Sequence, residues 1–106
     1  MAVPELSAEQ RRAALEKAAQ VRRDRAAVKD RLKSAKVSLP EVLREGHDNE
    51  VIGRMRVIDL LQSIPGLGKV RARNVMERLN ISESRRVRGL GNNQVAALER
   101  EFGQRA

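Results

Sequence analysis

The chain has 106 residues and a formal net charge of +8, and it contains no cysteine, tryptophan or tyrosine. That length bounds it to one small domain with room for an appended helix, and the lack of cysteine excludes disulfides, thiolate metal sites and a thiol nucleophile. Phe102 is the sole aromatic residue, so the core must be aliphatic and there is no stacking platform for single-stranded bases.

Residues 1–6 read as a loose tail, with no signal-peptide apolar core. No apolar run approaches the length of a membrane span, so a cytoplasmic protein with no membrane partner is expected. Ser7 looks like an N-cap, with Gln10 as its capping-box partner. From Ala8 to about Ala35 there is neither glycine nor proline, and the composition is strongly helical. Ala14, Ala18, Val21, Val28, Leu32 and Ala35 make a thin apolar stripe. At 100° per residue, Arg11, Arg22, Arg25, Lys29, Lys33 and Lys36 fall within an arc of roughly 80°, away from Glu9, Glu16, Asp24 and Asp30. A solvated helix tends to mix its charges, as i,i+4 pairing prefers. Arg22, Arg25, Lys29 and Lys33 are therefore candidates for a polyanion-binding rail. The alternatives are an exposed face, or contact with a partner helix through the alanines.

Ser38-Leu39-Pro40-Glu41 is a second helix start, since Pro40 is tolerated in a first turn and Ser38 can cap. This short helix stops at Gly46. His47 follows in a polar turn and has no partner at metal-ligand or triad spacing, so it reads as a solvated loop histidine. Val51 and Ile52 are expected to be buried and Gly53 to be a joint. Arg54-Met55-Arg56-Val57 alternates basic with apolar. Leu60, Leu61 and Ile64 then form the apolar side of one helix, and Ala72, Val75, Met76 and Leu79 that of the next.

Between those two helices stands Ile64-Pro65-Gly66-Leu67-Gly68-Lys69. Pro65 pre-sets its own φ, Gly66 can take a positive φ, and Gly68 lets another backbone approach closely. The amides of Gly68, Lys69 and Val70 would be the free N–H groups of the following helix, and with the helix dipole they make an anion site to which Lys69 adds a full charge. Arg71, Arg73 and Arg78 are exposed candidates on that helix, and Asn80 suits a left-handed cap at its end. An ordinary turn that binds nothing is the competing reading. In the next segment, Ser82 or Ser84 is expected to cap a short helical turn. Arg85, Arg86 and Arg88 crowd onto a glycine-bounded loop, where planar guanidinium forks can meet phosphate or enter a narrow minor groove. Asn92 or Asn93 should cap a last helix with Val95, Leu98 and Phe102 on its apolar side, ending at Gly103. Charge favours the second half as the main binding surface. Residues 1–50 carry 11 Lys/Arg against 9 Asp/Glu, whereas residues 51–106 carry 11 against 5.

The apolar-Pro-Gly-apolar-Gly-basic turn resembles a helix-hairpin-helix motif. The two hairpin helices, the connection with the arginines and the closing helix together look like a helix-two-turns-helix domain. That module occurs in a ribosomal protein of the small-subunit head, in formamidopyrimidine-type glycosylases and in some topoisomerase subunits. More closely, Pro65 to Gly91 is similar to the integration host factor of actinobacteria, and the likeness extends to Glu16-Lys17-Ala18 and Val51-Ile52-Gly53. The resemblance implies an all-α protein, with a tail and long charged helix over 1–37 and a helical DNA-binding head over 38–106. It implies a nucleoid-associated monomer that binds and bends duplex DNA largely without sequence preference, using no cofactor or metal, and that aids compaction and recombination such as phage integration. Gly66, Gly68 and Lys69 would contact phosphate, and Arg85, Arg86 and Arg88 would face a groove. An RNA- or ribosome-associated role for the same module is the first alternative. A glycosylase-like enzyme is a second, but no catalytic constellation suits it, because Asp59 and Glu77 read as helix-surface residues. A protein scaffold using the alanine stripe is a third.

Overall fold

The computed structural model describes residues 7–103, so the expected tail at 1–6 lies outside the described residues. Ser7 is an extended N-cap whose hydroxyl accepts the Gln10 N–H at 3.1 Å, while its own N–H donates to Gln10 Oε1 at 2.8 Å. This reciprocal box opens α1 (Ala8–Lys33). The helix ends earlier than expected. Ala35 does not continue the apolar stripe; it is exposed and sits at φ 57°, with its N–H donating to the Leu32 carbonyl and that of Lys36 to the Arg31 carbonyl. This is a Schellman ending with alanine where glycine normally stands. A left-handed L-residue is disfavoured by roughly 1–2 kcal/mol. Ala35→Gly is therefore expected to stabilise the fold by about 1 kcal/mol in urea titration, with the m-value unchanged.

Only the last turns of α1 dock. Val28 and Leu32 are buried and Val21 is half-buried, but Ala14 and Ala18 are exposed. The stripe is thus a core face only at its C-terminal end, and the first turns of the helix project from the head. Arg31 fixes the docking laterally with a two-pronged bond to Glu45, at 2.9 and 2.7 Å. Those hydrogen bonds hold the Glu45 carboxyl below its usual range, against the opposing effect of burial.

The head begins with α2 (Leu39–Glu45), where the Ser38 hydroxyl accepts the Glu41 N–H and Pro40 lies in the first turn. Next comes α3 (Glu50–Arg54), capped by Asn49. Gly53, expected as a joint, is instead buried inside α3. A Cβ there would lie 3.1 Å from the Gly46 carbonyl oxygen, so this glycine serves close packing of α3 on the end of α2.

Helices α4 (Val57–Ser63) and α5 (Lys69–Arg78) form the hairpin, and Leu60, Leu61, Ala72 and Met76 are fully buried between them and the rest of the core. Asn80, at φ 59°, ends α5 in a second Schellman motif: its own N–H donates to the Glu77 carbonyl at 3.1 Å and that of Ile81 to the Met76 carbonyl at 2.8 Å.

After a 3₁₀ turn at Val87–Gly89, α6 (Asn92–Phe102) closes the core through Leu98, with Val95 and Phe102 half-buried. Its N-cap is Gly91, so Asn92 and Asn93 stand inside the first turn and do not cap it. Gln94 takes over that role. Its Oε1 accepts the Gly91 N–H, and its Nε2 donates to the Asn80 carbonyl, tying the start of α6 to the end of α5. Among the described residues there are helices and one isolated antiparallel bridge, and no strand. The all-α architecture, with a long N-terminal helix on a helical head, is as expected.

Candidate nucleic-acid interface

The hairpin turn has the geometry its residues call for. Gly66 sits at φ 80°, in the region that favours glycine. The Leu67 N–H donates to the Ile64 carbonyl at 3.0 Å, closing the turn. Gly68 is the extended N-cap of α5 and, having no side chain, leaves the helix start uncapped. The backbone N–H groups of Gly68, Lys69, Val70 and Arg71 have no acceptor among the described residues. A Cβ on Gly68 would meet nothing within 4 Å, so no part of the protein uses the close approach this glycine allows. Gly68, Lys69, Val70 and Arg71 are all exposed, so this helix start lies at the surface. Arg71 reaches back toward the Gly66 carbonyl at 3.5 Å. Arg73 is exposed as well, but its charge is matched by Glu83 at 3.0 Å, and Arg78 is paired with Glu101.

The arginine segment is held by a contact that spans the sequence. Met55 and Val57 point into the core while Arg54 and Arg56 are exposed, which is the alternation of a short extended piece. The Val57 N–H donates to the Arg85 carbonyl and the Val87 N–H to the Met55 carbonyl, each at 3.0 Å, setting Arg56 opposite Arg86. The expected loop is therefore two pieces. Arg86 is extended on the bridge with Arg85 just before it, and Arg88 rides on the 3₁₀ turn, whose first residue is Val87. Ser82 caps only a tight turn, through the Ser84 N–H. All three arginines are exposed and line one shallow depression. None folds onto an acidic side chain among the described residues. Arg85 donates to the Gly89 carbonyl at 3.0 Å and Arg86 to the Arg54 carbonyl at 2.7 Å, while Arg88 has no partner among the described residues.

The α1 rail is partly absorbed into this corner. Arg22 and Lys33 stay exposed, but Arg25 and Lys29 are half-buried and line a cleft with Arg54, Arg56, Asp59 and Arg86. The Nε of Arg25 is buried without a partner, a desolvation that costs about 1–3 kcal/mol when nothing replaces the lost water. Arg56 also lines the adjoining cleft with Lys69 and Arg73. Arg56 thus connects two basic regions that are separate in the sequence, with Arg54 beside it in the first. The signal for them was the 54–57 alternation, which showed which residues point outward but not what they meet. Among the described residues no group of three His, Cys, Asp or Glu side chains could hold a metal ion, and no helix is long and apolar enough to cross a membrane. His47 is exposed in the turn after α2.

Comparisons with known proteins agree with this geometry. The family described as the S13-like H2TH domain matches residues 32–102. The integration host factor of Streptomyces coelicolor is 66% identical over 103 residues, covering 97% of this chain and 96% of that protein. The integration host factor of Mycobacterium tuberculosis is 50% identical over 103 residues, covering 97% and 98%. A solved structure of sIHF bound to an 8-bp palindromic DNA superposes with a TM-score of 0.81 at 66% identity, covering 83% of this chain and 99% of that one. The chain therefore belongs to the actinobacterial integration host factor family and carries that family's H2TH head.

Proposed function

We propose that the protein binds double-stranded DNA with little regard to sequence and bends it, acting in the nucleoid in compaction and in site-specific recombination such as phage integration. The observation that carries this reading is the uncapped start of α5, with four unpartnered amides at the exposed surface beside Lys69. Such a group grips a phosphate through its backbone dipoles, whatever the base. The sIHF structure holding DNA on a closely similar chain supports it.

Gly66 shapes the turn, Gly68 keeps it open, and Lys69 and Arg71 add charge. Arg85, Arg86 and Arg88 lie against a groove edge, sensing its width more than its bases. Arg22, Arg25, Lys29 and Lys33 form a second rail, so neutralisation on two surfaces bends the duplex. We take residues 38–106 as the DNA-binding head and 1–37 as the segment that carries this rail. The protein works by binding, and the reading assigns it no turnover.

The test is a salt series on a random duplex. Contact with about six to eight phosphates should give a log–log slope of affinity against salt of about −5 to −7. Alanine at Arg85, Arg86 and Arg88 together should flatten that slope by about 2–3 and weaken binding at every salt concentration. A wild-type slope shallower than about −2, or an unchanged triple variant, would contradict the reading. Stronger binding to structured RNA at equal salt would move the function to RNA.

A further inference from the structure

The cleft between α1 and the head is recessed and basic, and the hairpin turn takes no part in it. Its charged lining is Arg25 and Lys29 from α1, Arg54 at the end of α3, Arg56 on the bridge, Asp59 from α4, and Arg86, around a volume of about 190 Å³. The carboxylates present are already engaged. Asp59 accepts from Arg56 at 3.2 Å, and Arg54 is held by Glu50 at 2.6 Å. Among the described residues the Arg86 side chain has only the Arg54 carbonyl as acceptor. Among the described residues Arg25 and Lys29 form no ion pair, although Asp59 lines the same cleft, and the Arg25 Nε is buried without a hydrogen-bond partner. Five cations around one recess, with Asp59 as the single lining carboxylate, repel one another until an anion arrives.

We infer that this cleft is an oxyanion site for a compact, multiply charged phosphate ligand of the diphosphate class, separate from the hairpin turn. Guanidinium forks from Arg25 and Arg86 match the oxygens of a tetrahedral phosphoryl group, and Lys29 supplies a point charge beside them. The volume admits more than one phosphoryl group. A compact anion can sit inside the recess, while a duplex would meet the same side chains from its rim. Arg25, Lys29 and Arg86 also belong to the DNA surface proposed above. The ligand would therefore compete with DNA, a consequence that rests on that reading, whereas the binding itself does not.

The experiment titrates the full chain with sodium pyrophosphate by calorimetry, at an ionic strength held constant with chloride. Saturable one-to-one binding is expected. Arg25→Gln and Lys29→Gln should each weaken it by about tenfold or more, and Lys69→Gln by no more than about twofold. Should Arg25→Gln fail to fold, Lys29→Gln carries the comparison. Binding that does not saturate, or that Lys69→Gln weakens as much as the cleft variants do, overturns the inference. A random duplex is titrated in a parallel arm. If the duplex binds and pyrophosphate does not, the cleft takes backbone phosphate only and the inference falls while the DNA function stands. If pyrophosphate binds and the duplex does not, the DNA function falls and the inference stands. If both bind, saturating pyrophosphate should raise the duplex Kd of the wild type and not of Arg25→Gln; absence of that competition overturns the shared use of the cleft.

Discussion

Gly68→Asp is expected to make the protein more stable and a much weaker DNA binder. Gly68 is the N-cap of α5 in an extended conformation at φ −77°, which any residue adopts, and a side chain there would meet no protein atom within 4 Å. An aspartate at that position can accept from the free amides of the first turn and complement the helix dipole. It also restricts the unfolded chain, so stability should rise by roughly 0.5–1 kcal/mol. The same carboxylate occupies the amides that would hold a phosphate and puts a negative charge where one must enter. Losing a charge-assisted contact of about 1.5–3 kcal/mol predicts a rise in duplex Kd of about 10- to 150-fold. Urea titration and a gel-shift at fixed salt read the two effects separately. Gly66→Ala is the contrasting control. At φ 80° it is strained and should lose about 1–2 kcal/mol of stability. Unchanged duplex affinity in Gly68→Asp would show that the start of α5 holds no phosphate.

The contrast between these two glycines marks what local chemistry makes legible. The Pro65-Gly66 turn, the Ser7 box with Gln10, the Ser38 cap and the Asn80 ending all follow from short-range preferences of single residues, and the structure has each of them. The apolar positions of α4 and α5 follow from helical periodicity, and Leu60, Leu61, Ala72 and Met76 are buried accordingly. Where the sequence misled, packing between elements overrode what single residues prefer. Gly53 looks like a hinge until the Gly46 carbonyl is seen against it. The alanines of α1 look like a core stripe, but the head is long enough to cover only its last turns, at Val28 and Leu32. Ala35 has no local reason to turn left-handed. The chain must reverse there for Leu39, Val42 and Leu43 to reach the core, and that requirement outweighs the preference of alanine. The candidate interface divides in the same way. The types and exposure of Lys69, Arg85, Arg86 and Arg88 were readable. The meeting of Arg25 and Lys29 with Arg54, Arg56 and Arg86 was not, because it depends on how α1 lies against the bridge between residues 56 and 86.

Leu98→Ala is expected to cost about 3 kcal/mol, within the 2–5 kcal/mol range of large-to-small core substitutions. Leu98 is fully buried and is the one wholly buried side chain of α6, so truncating it leaves a cavity where α6 packs on the preceding helices. Domains of this size have total stabilities of about 5–15 kcal/mol, so such a loss would unfold a sizeable fraction of molecules on warming. Phe102, the lone aromatic, is half-buried at the last turn of α6, and Phe102→Ala should cost less despite removing more atoms. The effect should reach the interface only through folding. Gln94, at the start of α6, holds the Gly91 N–H and the Asn80 carbonyl, which fixes the approach to the Val87–Gly89 turn that carries Arg88. Where Leu98→Ala is still folded, its duplex affinity should match the wild type within about twofold, and on heating both should be lost together. A destabilisation under about 1 kcal/mol, or an affinity loss in the fully folded variant, would mean that α6 is not the element that locks the head.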